Sequence, residues 1–195
     1  MEKLERSFYA RNACTVAEEL IGKILVHDSR EGRTSGIIVE AEAYCGPEDK
    51  AAHSYAGKRT SRTEIMYHEG GLVYVYLIYG MHCCFNVTAS VAGKPEAVLI
   101  RALEPLEGIG IMSERRGTSR VLNLTNGPGK LCQAMGITRE HYGADLCGNE
   151  IYIADGGYDF SVAVSERVNI DYAEEYRFML WRYFAEGNKF VSTKN

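Results

Sequence analysis

The chain has 195 residues, of which 46% are hydrophobic and 25% charged, with a net charge of −4. That length can bury one core without disulfide staples, and the composition excludes wholesale disorder, collagen-like repeats and Pro-rich linkers. The longest apolar run, Leu72 to Met81, covers about ten residues against the roughly 20 of a membrane span, and the charged N-terminus MEKLERSFYARN lacks a signal-peptide core. Residues 13–22, ACTVAEELIG, predict a short helix stopped by Gly22, and Lys23–His27 a strand. Residues 36–44, GIIVEAEAY, alternate: Ile37, Val39, Ala41 and Ala43 make an apolar face, Glu40, Glu42 and Tyr44 the other, and Gly46-Pro47 ends the strand. Residues 48–69 are polar and irregular, with a turn of helix. Leu72–Tyr79 and His82–Ser90 predict a hairpin separated by Gly80-Met81, Gly80 supplying the positive φ of a tight turn. Residues 96–103 predict a strand closed by Pro105, residues 129–137 a short helix after Gly127-Pro128, and Ile151–Ala154 and Phe160–Arg167 two further strands. The reading is a single α+β domain, residues 1–195, built on a curved, mainly antiparallel β-sheet with short helices around it and a protruding β-hairpin.

The acidic total hides an uneven distribution. Residues 140–175 hold nine acids and one base, Arg167, which leaves the remainder of the chain at about +4. Basic residues gather at Lys58, Arg59 and Arg62, and again at Arg115, Arg116, Arg120 and Lys130. Two such stretches on one face could hold a phosphate backbone; solvated loops are the plainer alternative. The six cysteines (Cys14, Cys45, Cys83, Cys84, Cys132 and Cys147) form no C-x-x-C, and the His82-Cys83-Cys84 cluster lacks zinc-finger spacing, so reduced cytosolic thiols are expected.

Three features break local rules, as functional sites tend to do. Glu42 stands with Glu40 and Tyr44 on one strand face, which could equally be a solvated sheet surface. Arg101 interrupts the apolar strand VLIRAL and needs a carboxylate or a route to water, unless it snorkels from an edge strand. The tip Ile78-Tyr79-Gly80-Met81 presents large side chains to solvent, unless it folds back or makes a dimer contact. With His53 and the tyrosines 44, 55, 67, 74 and 76, these features suggest a carboxylate in an aromatic pocket beside a wedge, a combination suited to drawing a base out of a duplex.

At these residues the chain resembles the alkyladenine DNA glycosylase family, the mammalian-type 3-methyladenine DNA glycosylases. The matching stretches are EAEAYCGPEDKAAHS (40–54), YVYLIYGMHCCFN (74–86), LIRALEPLEG (99–108), GPGKLCQAMGI (127–137), RVNIDYAEE (167–175) and RYFAEGNKFVS (182–192). The resemblance covers nearly the whole chain in order and implies the bare catalytic domain, as in bacterial members. It implies that Glu42 is the general base, with Arg101 and the backbone carbonyl of Val168 holding the attacking water. It implies that Tyr44, His53 and Tyr76 sandwich the flipped base, that the backbone around Ala51 and His53 reads the purine edge, and that Asn86 crowds a guanine amino group. Tyr79 matches the residue that enters the minor groove, and Met81, Arg62 and Lys130 look like DNA-backbone neighbours. Thr63 stands where many relatives have Asn, Glu64 adds an acid close by, and His82 replaces a usual aromatic.

These residue types suit the reaction. An alkyl group on N3 or N7 makes the purine cationic, so the base leaves neutral and one carboxylate suffices to activate water. Aromatic faces attract an electron-poor ring. The expectation is a monofunctional DNA repair enzyme acting on 3-methyladenine, 7-methylguanine, hypoxanthine or ethenoadenine in double-stranded DNA. It would be a cytoplasmic monomer with no membrane partner, metal or organic cofactor. A small-molecule nucleosidase would need neither Tyr79 nor the basic stretches. A non-catalytic nucleic-acid-binding module would gain nothing from Glu42. A zinc deaminase lacks its H-x-E and P-C-x-x-C motifs here.

Overall fold

The computed structural model describes residues 1–192. Among them, nine strands form one sheet in the order β1 (Glu2–Lys3), β7 (Ile151–Asp155), β2 (Ile24–Ser29), β3 (Gly32–Tyr44), β6 (Glu96–Glu107), β5 (His82–Ala89) and β4 (Val73–Ile78). A side branch, β9 (Arg182–Ala185), pairs with β3 over Glu40–Glu42 and carries β8 (Val162–Ser165) on its other side. Every pairing is antiparallel, and with four short helices the fold is α+β.

The helices follow from local chemistry. After α1 (Arg6–Tyr9), helix α2 (Ala13–Leu20) is capped by Asn12, whose side chain accepts from Thr15 N–H at 3.0 Å. Its apolar stripe of Ala13, Val16, Ala17 and Leu20 is buried in the core with Ile38, Val39, Ala41 and Ala43 of β3. Helix α4 (Pro128–Met135) starts with proline at its first position, ends at left-handed Gly136, and buries Leu131, Cys132, Ala134 and Met135. Helix α3 (Ile109–Arg116) was not foreseen, because it buries one residue, Met112, and so shows almost no apolar period.

Several boundaries differ from the sequence reading. Helix α2 ends at Leu20, two residues before Gly22, whose φ of 91° lets the chain turn into β2. Strand β6 continues past Pro105 to Glu107, because the register slips between Ser35 and Gly36, opposite Pro105 and Glu107, and a bulge tolerates the missing donor. Strand β8 spans Val162–Ser165 only, since the chain beyond it turns inward to bring Arg167 against Asp49. The hairpin turn lies at Tyr79-Gly80, one residue earlier than expected. Both residues have positive φ, 52° and 70°, and Met81 N–H donates to the Ile78 carbonyl at 3.2 Å. The tip stands clear of the protein, with Tyr79 86% and Met81 75% exposed.

Candidate active site

The site is built where β3 passes between β6 and β9. The β3–β6 ladder slips around Val39 and Arg101: Ile38 faces Leu103, Glu40 faces Ala102 and Ala41 faces Ile100. Arg101 is therefore a bulged position within a central strand, where a side chain can be re-aimed. Its Nε donates to Glu40 Oε1 at 2.9 Å, and its Nη1 lies 3.4 Å from Glu42 Oε2. The edge-strand alternative for Arg101 is thereby excluded, and so is the solvated-surface alternative for Glu40 and Glu42, which are both fully buried.

Glu40 is the structural acid of the pair. Its Oε1 accepts from Arg101, from Arg182 Nε at 2.8 Å and from Ser192 Oγ at 2.9 Å, while its Oε2 accepts from Ser192 N–H at 2.7 Å. Burial pushes its pKa up, but Arg101 and the Ser192 and Arg182 hydrogen bonds outweigh that and hold it below the usual glutamate value. Glu42 is tethered differently. Val168 N–H donates to its Oε1 at 2.7 Å, and the Tyr44 hydroxyl donates to its Oε2 at 3.0 Å. Burial, with the neighbouring Glu42 charge, drives the Tyr44 hydroxyl well above its ordinary pKa, so it remains a donor.

Beside this carboxylate, Tyr44, Ala51, His53, Met66, Tyr74, Tyr76, Asn86, Ala97 and Tyr172 line a narrow pocket of about 40 Å³. All five residues expected around the base are here: Tyr44, Ala51, His53, Tyr76 and Asn86. Tyr55 and Tyr67 are not. Tyr55 is exposed, and Tyr67 sits under Arg59. The His53 and Tyr76 rings meet edge to face at 4.7 Å, and His53 Nδ1 lies 2.8 Å from the Tyr74 hydroxyl. Burial, followed by the charges of Arg62 and Lys58, lowers the His53 pKa to about 4, which leaves the ring neutral at physiological pH. The Asn86 side-chain NH₂ donates to the carbonyls of Tyr74 (3.0 Å) and Cys84 (3.2 Å), which fixes the amide plane. Ala51 N–H is engaged by Asp49 at 3.0 Å, whereas no acceptor among the described residues meets His53 N–H.

A family model described as methylpurine-DNA glycosylase matches residues 7–189. The chain belongs to this family. It is 49% identical over its whole length to the full-length protein of Desulfitobacterium hafniense that carries the provisional name 3-methyladenine DNA glycosylase. Relatives of the same name from Clostridium acetobutylicum (53% identical, 97% of each chain) and Natranaerobius thermophilus (50%, with 97% of this chain and 98% of the relative) match over nearly their whole length. The protein is thus a DNA glycosylase, a hydrolase of DNA repair, and the family resemblance read from the sequence holds.

On this glycosylase, Tyr79 and Met81 at the hairpin tip are exposed, and α4 packs close to the hairpin, since a side chain on Gly129 would touch His82 at 3.2 Å; the next residue, Lys130, donates to Asn126 Oδ1 at 2.9 Å. Arg62 is not free. Its guanidinium lies 4.9 Å from the centre of the Tyr76 ring and donates to His53 Nε2 at 2.9 Å, so it sits against two of the residues that line the pocket. The two basic stretches are smaller than their sequence suggests, because Arg59 is paired with Glu64 and Arg115 with Glu31. The sequence reading missed the buried clamp between Arg167 and Asp49 (2.6 and 2.9 Å), which also binds the Ala43 carbonyl and so positions Tyr44 and Val168. The one base in a run of nine acids was its only signal. Tyr172, whose hydroxyl reaches the Ala51 carbonyl at 3.4 Å, was missed as well.

Proposed function

We propose that the protein excises alkylated and deaminated purines from duplex DNA, 3-methyladenine, 7-methylguanine, hypoxanthine and ethenoadenine among them, by direct water attack on a flipped-out nucleotide. Glu42 accepts a proton from water as the water oxygen bonds to C1′. The C1′–N bond breaks and its electron pair leaves with the purine: a cationic alkylpurine departs neutral, whereas hypoxanthine and ethenoadenine depart as anions that take a proton from water, and an abasic sugar remains in an unbroken strand. The observation that carries this reading is a fully buried carboxylate, Glu42, held by Val168 N–H and the Tyr44 hydroxyl beside an aromatic pocket. A base held so rigidly needs no reorganisation when charge develops at C1′. In this reading Arg101 and the Val168 carbonyl hold the attacking water.

The pocket supplies selection. Tyr44, Tyr76 and neutral His53 offer faces to an electron-poor ring, worth about 0.5–2 kcal/mol per cationic contact, and the free His53 N–H is the main-chain donor for a purine edge. A space of about 40 Å³ is far below that of ordinary small-ligand sites. In this reading the pocket widens to admit a base as Arg62 leaves His53 and Tyr76, and a DNA phosphate is the partner able to draw it off. Tyr79 then fills the vacated stack, offsetting the few kcal/mol that flipping costs.

Incubation with methylated duplex DNA followed by chromatography tests the reading. Free methylpurine should appear, the strand should stay whole until treated with alkali, and release should fall steeply with salt. Absence of released base, or a strand nicked through a borohydride-trappable enzyme adduct, would refute it.

A further inference from the structure

One cluster of ligating side chains lies outside this chemistry. His27 sits on β2, His141 closes the short turn Arg139–His141, and Glu150 immediately precedes β7. Each offers one ligating atom, and the three atoms lie within 4.8 Å of one another. They line one cleft, on the β2–β7 side of the sheet rather than at the hairpin.

The histidines are set up for coordination. His27 is 3% exposed, and its Nδ1 lies 2.6 Å from the Met135 carbonyl. A carbonyl can only accept, so Nδ1 carries the proton and Nε2 keeps its lone pair. Among the described residues nothing donates to that Nε2. A fixed Nδ1–H···O=C bond is the usual outer support of a metal-bound imidazole. In His141, Nδ1 accepts from Thr138 N–H at 3.0 Å, and the Thr138 carbonyl lies 3.2 Å away; ligation through Nε2 uses the tautomer in which Nδ1 donates to that carbonyl instead. Glu150 is anchored against β2, where its carbonyl accepts from Asp28 N–H at 2.8 Å, while its side chain is exposed and free to swing. The other charges in the cleft are largely committed elsewhere, Asp28 to Arg33 and Arg115 to Glu31.

We propose that His27, His141 and Glu150 form a zinc site, with water as the fourth ligand. Two imidazoles and a carboxylate are a zinc donor set, and tetrahedral bonds of about 2.0–2.1 Å bring ligand atoms to ~3.3 Å of one another. A small rotation of Glu150 and His141 closes the remaining distance. The ion would tie β2 to the start of β7 and the turn after α4, more than a hundred residues further along the chain. Through Tyr142, whose hydroxyl donates to the Ser61 carbonyl at 3.1 Å and accepts from Ile65 N–H at 3.2 Å, it would brace the loop that carries Arg62.

The test uses tag-free, chelator-treated full-length protein titrated with zinc sulfate by calorimetry, followed by melting with and without the ion. One equivalent should bind and raise the melting temperature. Glu150→Gln, an exposed change that does not threaten folding, and His141→Gln should each weaken binding at least tenfold and abolish the thermal shift. Cobalt substituted for zinc should give tetrahedral visible bands without a thiolate charge-transfer band, which separates this cluster from the cysteines. No binding, binding unchanged in both variants, or a thiolate signature would overturn the proposal.

Discussion

Val168 N–H and Glu42 Oε1 meet at 2.7 Å across 126 residues of sequence. The bond joins the C-terminal end of β3 to the segment after β8, and it aims a buried carboxylate. The adjacent Arg167–Asp49 pair fixes where Val168 can stand, because Arg167 also binds the Ala43 carbonyl on the same strand as Glu42. Fold and site are here a single set of contacts.

Glu40 holds two buried guanidinium groups, Arg101 and Arg182, on one oxygen. Removing it takes the shared carboxylate from both buried arginines and leaves Arg101 with Glu42 at 3.4 Å, so Glu40→Ala should lose about 3–5 kcal/mol of folding stability. Urea unfolding measures this. A loss under 1 kcal/mol would mean that water already solvates the arginines.

Tyr79 pays for its place at the turn with a φ of 52°, a region that favours glycine. Tyr79→Gly should therefore keep stability or raise it by about 1 kcal/mol, while damage-specific DNA binding weakens roughly tenfold, or about 1.4 kcal/mol. Melting curves and duplex titrations on one preparation separate the two effects. Unchanged binding would remove Tyr79 from the wedge role.

Much of the site was legible because its residues violate local expectation. Acids alternate with alanines on β3, and an arginine interrupts an apolar strand. The alternation could not say that β9 and Val168 cover the acidic face, so a solvated surface stayed open as a reading of Glu42. Contacts between distant segments leave no periodic trace. Arg167–Asp49 and the His27–His141–Glu150 cluster each join parts of the chain more than a hundred residues apart. The bulge that re-aims Arg101 is likewise a property of paired strands, not of either strand's pattern.

His53 titrates at about 4 in the folded protein, against 6.5 for an unperturbed histidine. The unfolded chain thus takes up a proton first as pH falls. His53 should cost no stability above pH 6.5, and an increasing amount between about 6.5 and 4, at about 1.4 kcal/mol per unit. Arg62→Gln should raise the His53 pKa without restoring 6.5, because burial is the larger cause. Histidine NMR titration of both proteins checks this. A fall or no change in the variant would show that Arg62 does not act on the ring.

Asn86 is locked by two donated hydrogen bonds at the pocket wall. Asn86→Ser should raise excision of guanine-type bases relative to hypoxanthine by roughly ten- to hundredfold, equivalent to about 1–3 kcal/mol of discrimination. Single-turnover rates on the two duplexes give the ratio. An unchanged ratio would leave Asn86 a hairpin residue only.

The most direct measurement is single-turnover base release by Glu42→Gln, which keeps the shape of the side chain and removes its proton acceptor. Cleavage should drop at least the ~10²-fold typical of general-base loss, with damaged-DNA binding retained. Cleavage near the parent rate, by a variant that still binds and folds, would contradict the assignment of Glu42 as the base.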